Sequence, residues 1–273
     1  MICNARMYAL TPAITDAWRT LLLRVGQRAS LAWDYEPHAA PAPMRSLWDR
    51  GDNACVFMCG LPFITGTPRP ILLAAPVPSA PRYEGRPIYF TEFIARADGA
   101  MTDLASVPAG TRLAHMLPES NSGYNAPRHH LLTLRGATGV SPFIRAGQPT
   151  PTPMAVIQAV AEGRAELGVV DSYVLDLLRR HAPQIMAPLR TVATTIASPI
   201  PVLVASPGSS EDEAARARTA LLSAHEDEVC RAAMQQLQLA RFAQVRASDY
   251  SVLAERQAES ERRGFSLTEE TAR

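Results

Sequence analysis

Two hydrophobic rhythms alternate along the chain: short continuous apolar runs, and longer stretches with apolar residues three and four apart. The continuous runs are the pattern of strands covered on both faces. They fall at Asn4 to Leu10, Leu31 to Tyr35, Asn53 to Gly60, Pro70 to Val77, Ile88 to Arg96, Arg112 to Leu117, Leu167 to Val170, Arg190 to Ser198 and Val202 to Ala205. Gly139 to Ile144 reads as a further short strand, which Pro142 confines to a sheet edge. Helical spacing marks Ile14 to Arg28, with Ala17, Trp18, Leu21, Leu22 and Val25 inward, and Met154 to Gly163, with Val156, Ile157 and Val160 inward. Further helices are expected through Leu178, from the acidic turn Glu211-Asp212-Glu213 through Leu222, and from Glu226 to Leu239. Strands alternating with helices predict an α/β protein. Cys59 to Phe63 reads as a tight turn, and the charged stretch 254–273 as a tail.

One junction stands out. In residues 111–135 an apolar run ends at Pro118, and Ser120, Asn121, Ser122 and Gly123 precede the helical positions Leu131, Leu132 and Leu134. The first amides of a helix lack partners within it and carry partial positive charge, so such a turn suits a small oxyanion. Gly123 would let a ligand approach the backbone. A plain helix cap has the same composition, and both readings stand on the local sequence. Pro127, which has no N–H, leaves the helix start anywhere from Ser122 to Asn125.

The chain of 273 residues is long enough for two ordinary domains, and its net charge of +1 leaves no footprint for nucleic acid. A small solute is the expected partner. All 27 basic residues are arginine. A P-loop lysine, Schiff-base catalysis and covalent pyridoxal phosphate are therefore excluded, and no cofactor is expected. On a strand, Cys55 and Cys59 would stand roughly 13 Å apart, too far for a disulfide, and are expected as core residues. No metal-ligand spacing and no Gly-x-Ser-x-Gly elbow occur, and His129 and His130 project about 100° apart on a helix. No catalytic residue is assigned. Nothing is apolar enough over sufficient length to enter a membrane.

In order along the chain, Tyr89-Phe-Thr91, Asp103-Leu104, Gly110-Thr-Arg112, the turn Ser120-Asn-Ser122-Gly123-Tyr124 with Pro127 after it, and Val170-Asp171-Ser172 resemble the phosphate/phosphonate-type substrate-binding proteins of ABC transporters. The likeness runs from about Met7 to Tyr250. It implies a two-lobed type 2 periplasmic-binding-protein fold, each lobe a mixed, mostly parallel sheet flanked by helices, with the ligand cleft between them. Lobe 1 would be 1–87 plus 200–253, and lobe 2 would be 88–199. The turn from Ser120 to Tyr124 would hold the oxyanion, with Tyr89 and Thr91 on the crossing strand facing it. Glu92 on that strand is expected to face away from an anion or to contact an ammonium group.

Asp171, at a strand end, would face the ligand on this resemblance, although the same position suits a cap for the following helix. Tyr8 either lines the cleft or is a core tyrosine, and Gly60 either presents its amide to ligand or is a turn glycine. The implied partners are a small anionic solute and an ABC permease, with the protein expected as a monomer. As the sequence stands, Met1-Ile-Cys-Asn-Ala-Arg shows no export signal, so a cytoplasmic location is expected, or a periplasmic one if the start is misassigned. That leaves two alternatives: a cytoplasmic enzyme on the same fold, chorismate-dehydratase-like or related to thiamine precursors, and a cytoplasmic ligand sensor.

Overall fold

Residues 1–105, 107–135 and 141–269 are described by the structure, a computed structural model. The expected strand start at Gly139 and Val140 lies outside them, as do 270–273. The chain divides into two α/β units: unit 1 is Met1–Ile88 with Pro199–Tyr250, and unit 2 is Tyr89–Ser198 with Ser251–Arg273.

Unit 1 begins with β1 (Ile2–Asn4), α1 (Pro12–Arg28), β2 (Asp34–Tyr35), α2 (Met44–Trp48), β3 (Asn53–Met58), α3 (Gly60–Thr65) and β4 (Ile71–Pro78). The chain leaves through β5 (Ile88–Tyr89). Unit 2 then forms β6 (Thr91–Arg96), β7 (Thr111–Ala114), α4 (Ala126–Arg135), β8 (Phe143–Arg145), α5 (Pro153–Ala161), β9 (Leu167–Asp171), α6 (Ser172–His181), α7 (Pro183–Met186) and β10 (Leu189–Thr194). It returns through β11 (Ser198–Pro199), which pairs with β5, to β12 (Val202–Ala205), α8 (Glu211–Leu222), α9 (Glu228–Gln236) and β13 (Leu239–Ala243) of unit 1. Last comes α10 (Ser251–Arg262) in unit 2.

The sheet of unit 1 has the order β13-β4-β12-β3-β1-β2. Its early strands β1, β2 and β3 run parallel, and the returning β12 inserts antiparallel between β3 and β4. α1 is capped as its sequence dictates, with Thr11 Oγ1 accepting from Ile14 N at 3.3 Å, and it buries the expected face of Ala17, Trp18, Leu21, Leu22 and Val25. The sheet of unit 2 has the order β10-β6-β9-β7-β8, with β6 antiparallel to both neighbours and β7 parallel to both of its own. Gly168 lets α5 press onto β9: a Cβ there would stand 2.7 Å from Val156 Cγ1 and 2.8 Å from Val160 Cγ2.

Four expectations are corrected. The first strand stops at Asn4, because Asn4 Oδ1 accepts from Arg6 N at 2.6 Å and bends the chain into a 3₁₀ turn over Arg6–Tyr8. Cys59 to Phe63 forms no simple turn but the entry to α3. The expected helix Glu226 to Leu239 is shorter: Asp227 caps α9, and Gln238, at φ 52°, reverses the chain into edge strand β13. Finally, the stretch from 254 is no loose tail as far as residue 269. It continues α10 and then buries Phe265 and Leu267 among Phe93, Leu113, Leu131, Phe143, Leu167 and Val169 in the core of unit 2. All four cysteines are buried free thiols, and Cys3 and Cys55 lie side by side in register on β1 and β3.

Candidate functional site

The junction between β7 and α4 is a widened helical turn. Asn125 N bonds to Ser120 O at 3.1 Å and Ala126 N to Asn121 O, five residues back rather than four, so Asn121–Asn125 has π geometry before α4 begins. Ser120 is the cap: its Oγ accepts from Gly123 N at 3.0 Å. Asn125 Nδ2 donates to Pro118 O at 2.6 Å and to Ser120 O at 3.1 Å, closing the bend from inside. With these bonds made, the N–H groups of Asn121, Ser122 and Tyr124 have no acceptor among the described residues, and Ser122 Oγ has no partner there. Three bare amides and a hydroxyl thus gather at the positive end of a helix, the donor set that an oxyanion needs.

Two residues expected on the crossing strand meet this turn directly. Tyr89 Oη accepts from Asn121 Nδ2 at 2.8 Å, and Thr91 Oγ1 donates to Ser122 O at 3.0 Å. Thr91 is itself fixed on both sides, its N–H donating to Thr195 Oγ1 at 3.0 Å and its carbonyl accepting from Thr195 N at 2.9 Å. Tyr89, Thr91 and Asn121 are all buried. Thr195 went unnoticed in the sequence because a threonine in an apolar run carries no local signal.

Gly123 serves packing. A Cβ on it would stand 2.4 Å from Met116 Cβ, so the open side of the glycine is filled by protein, and its N–H is held by Ser120. The expected close approach of a ligand at that Cα is therefore corrected. Tyr124 is half-buried, its ring 5.3 Å from that of His115 and 5.9 Å from the Arg128 guanidinium. Arg128 Nε in turn donates to Phe265 O at 2.5 Å, tying the turn's outer side to the C-terminal segment.

Asp171 ends β9 in register with Thr91, and its Oδ1 accepts from Tyr173 N at 2.7 Å and Val174 N at 3.4 Å. It is the cap of α6. Glu92 is buried and paired, meeting Arg179 Nη2 at 2.8 Å and accepting from Thr191 Oγ1. Burial disfavours the charge on Arg179, but hydrogen bonding to Glu92 and its charge outweigh that and raise the guanidinium pKa. The partner of the Glu92 carboxylate is thus an arginine of the protein. His129 meets Glu259 at 3.0 Å and the His130 ring packs on Phe93, so these histidines serve α10 and the core respectively.

In unit 1, Tyr8 is a core residue: it is buried, with its ring 5.1 Å from Phe57 and 6.4 Å from Trp18. The expectation that it lines a cleft is corrected, because the Asn4 bend turns it inward beneath α1. Gly60 is the first residue of α3, and the N–H groups of Gly60 and Leu61 have no acceptor among the described residues. No group of three or more metal-ligating side chains occurs among the described residues.

Residues 10–250 match the family model described as ABC transporter, phosphonate, periplasmic substrate-binding protein. The chain belongs to this phosphonate-binding family. Known structures repeat its α/β architecture at low identity. A binding protein component of an ABC phosphonate transporter from Pseudomonas aeruginosa is 16% identical, with a TM-score of 0.69 over 97% of each chain. PhnD1 from Prochlorococcus marinus, in complex with methylphosphonate, is 13% identical, with a TM-score of 0.76 over 96% of this chain and 98% of that one. A Xanthomonas citri protein bound to ATP is 19% identical, with a TM-score of 0.62 over 97% and 98%. A search of curated proteins returns no match.

The fold is that of the two-lobed periplasmic binding proteins. As a member of the phosphonate-binding family, a family of non-catalytic substrate-binding proteins, the chain is a solute-binding protein, and the enzyme alternatives fall away. The family is normally periplasmic, and no helix among the described residues is long and apolar enough to cross a membrane.

Proposed function

We propose that this protein captures a small oxyanion, a phosphonate, phosphate or related oxyacid, at the Asn121–Tyr124 turn and delivers it to an ABC permease. The observation that carries this reading is the set of three amides, Asn121, Ser122 and Tyr124, which with the Ser122 hydroxyl beside them have no partner among the described residues. Hydrogen bonds to a charged group contribute about 1.5 to 3 kcal/mol each, so four of them sum to about 6 to 12 kcal/mol, a range that brackets the roughly 8 kcal/mol of a micromolar complex before the costs of association. The phosphonate-binding family and the methylphosphonate held by the Prochlorococcus relative support the same ligand class. Within the turn, Asn121, Ser122 and Tyr124 contact the anion, while Ser120 and Gly123 shape it.

Calorimetric titration with methylphosphonate and inorganic phosphate tests the reading. Wild-type protein binds at least one of them, and Ser122→Ala weakens that binding about tenfold or more, a loss of about 1.4 kcal/mol. Its ligand-free melting temperature stays unchanged. An equal drop in ligand-free stability would make Ser122 a structural cap and contradict the proposal.

A further inference from the structure

We propose that Thr91 positions the anion-binding turn by supplying the hydrogen-bond donor that Pro127 lacks. In the π turn each carbonyl is met by an N–H five residues on: Ser120 by Asn125, Asn121 by Ala126. The next bond in the series would run from residue 127 to Ser122 O, and proline has no N–H to give. A carbonyl left bare in this partly buried turn would be free to rotate towards another donor, taking the following peptide with it. The Thr91 hydroxyl fills the vacancy at 3.0 Å. Thr91 is only 1% exposed and is clamped by Thr195 through both its N–H and its carbonyl, so its hydroxyl is delivered from a rigid strand. The consequence is geometric: the Ser122 carbonyl shares its peptide plane with the Gly123 N–H, so Thr91 at one end and Ser120 Oγ at the other fix that plane, and the Ser122 and Tyr124 amides of the two flanking peptides are held in place for a ligand. Thr91, expected from family resemblance to face the ligand, thus acts on it through the Ser122 peptide.

This inference rests on the reading of the turn as an oxyanion site, and a rescue experiment separates the two. Thr91→Val removes the donor with little change of volume, and is expected to weaken methylphosphonate or phosphate binding about tenfold, whereas Thr91→Ser keeps it within about twofold. Adding Pro127→Ala to Thr91→Val restores an N–H at the spacing that Ser122 O requires. Most of the lost affinity and melting temperature should return, although residue 127 lies on a different element from residue 91. A double variant no better than Thr91→Val in affinity or in melting temperature overturns the positioning role. Wild-type protein that binds neither anion overturns the site reading itself.

Discussion

Asn121 donates its side-chain amide to the Tyr89 hydroxyl at 2.8 Å, and neither residue has appreciable contact with water. The pair holds the first residue of the anion turn to the strand by which the chain enters unit 2. Tyr89→Phe would leave the Asn121 amide buried without this acceptor. A loss of about 1 to 3 kcal/mol in unfolding free energy is expected, the usual cost of an unsatisfied buried polar group. Urea denaturation of the ligand-free protein measures it. A variant as stable as wild type would show that the hydrogen bond holds nothing in place.

Acidification should destabilise the protein above the range where carboxylates titrate. Burial lowers the pKa of His115, opposed by its bond to Met116 O and aided by nearby Arg145, and burial together with the adjacent His129 lowers that of His130. Both rings are therefore held neutral in the fold and protonate more readily once unfolded. The stability they contribute is complete above the unfolded histidine pKa of about 6.5, and is lost as pH falls below it through the folded values. The melting temperature is expected to decline from pH 7.5 to pH 5.5, and the double variant His115→Gln/His130→Gln to decline less steeply. A wild-type melting temperature that rises over this interval would contradict the assignment.

Much of the architecture was legible because it rests on local chemistry. The apolar runs at β3 and β9 have no alternative to burial on both faces, and Thr11-Pro12 announces the start of α1 by cap and ring geometry together. Capping chemistry over Ser120 to Gly123 was legible too, although the helical turn begins at Asn121, one residue before the expected range of starts, with Ser120 as its cap. What eluded the sequence depends on which of several possible partners the folded chain brings into contact. Gly123 looks permissive in isolation, yet its place is set by Met116 seven residues earlier, and Asp171 reads equally as ligand or cap until the amides of Tyr173 and Val174 are seen to claim it. The C-terminal stretch lacks helical hydrophobic spacing, since Phe265 and Leu267 enter the core after α10 has ended. Pro127 left the helix start open between Ser122 and Asn125 without announcing a widened turn, and the compensating hydroxyl of Thr91 lies on another strand.

Backbone amide spectra of ¹⁵N-labelled protein, recorded through a titration with methylphosphonate and then with inorganic phosphate, test the central claim most directly. If the turn holds the anion, the Asn121, Ser122 and Tyr124 resonances move furthest within unit 2 and saturate with the calorimetric binding curve, while Gly123, already bonded to Ser120, moves less. Saturable binding that leaves those three amides unmoved would contradict the account.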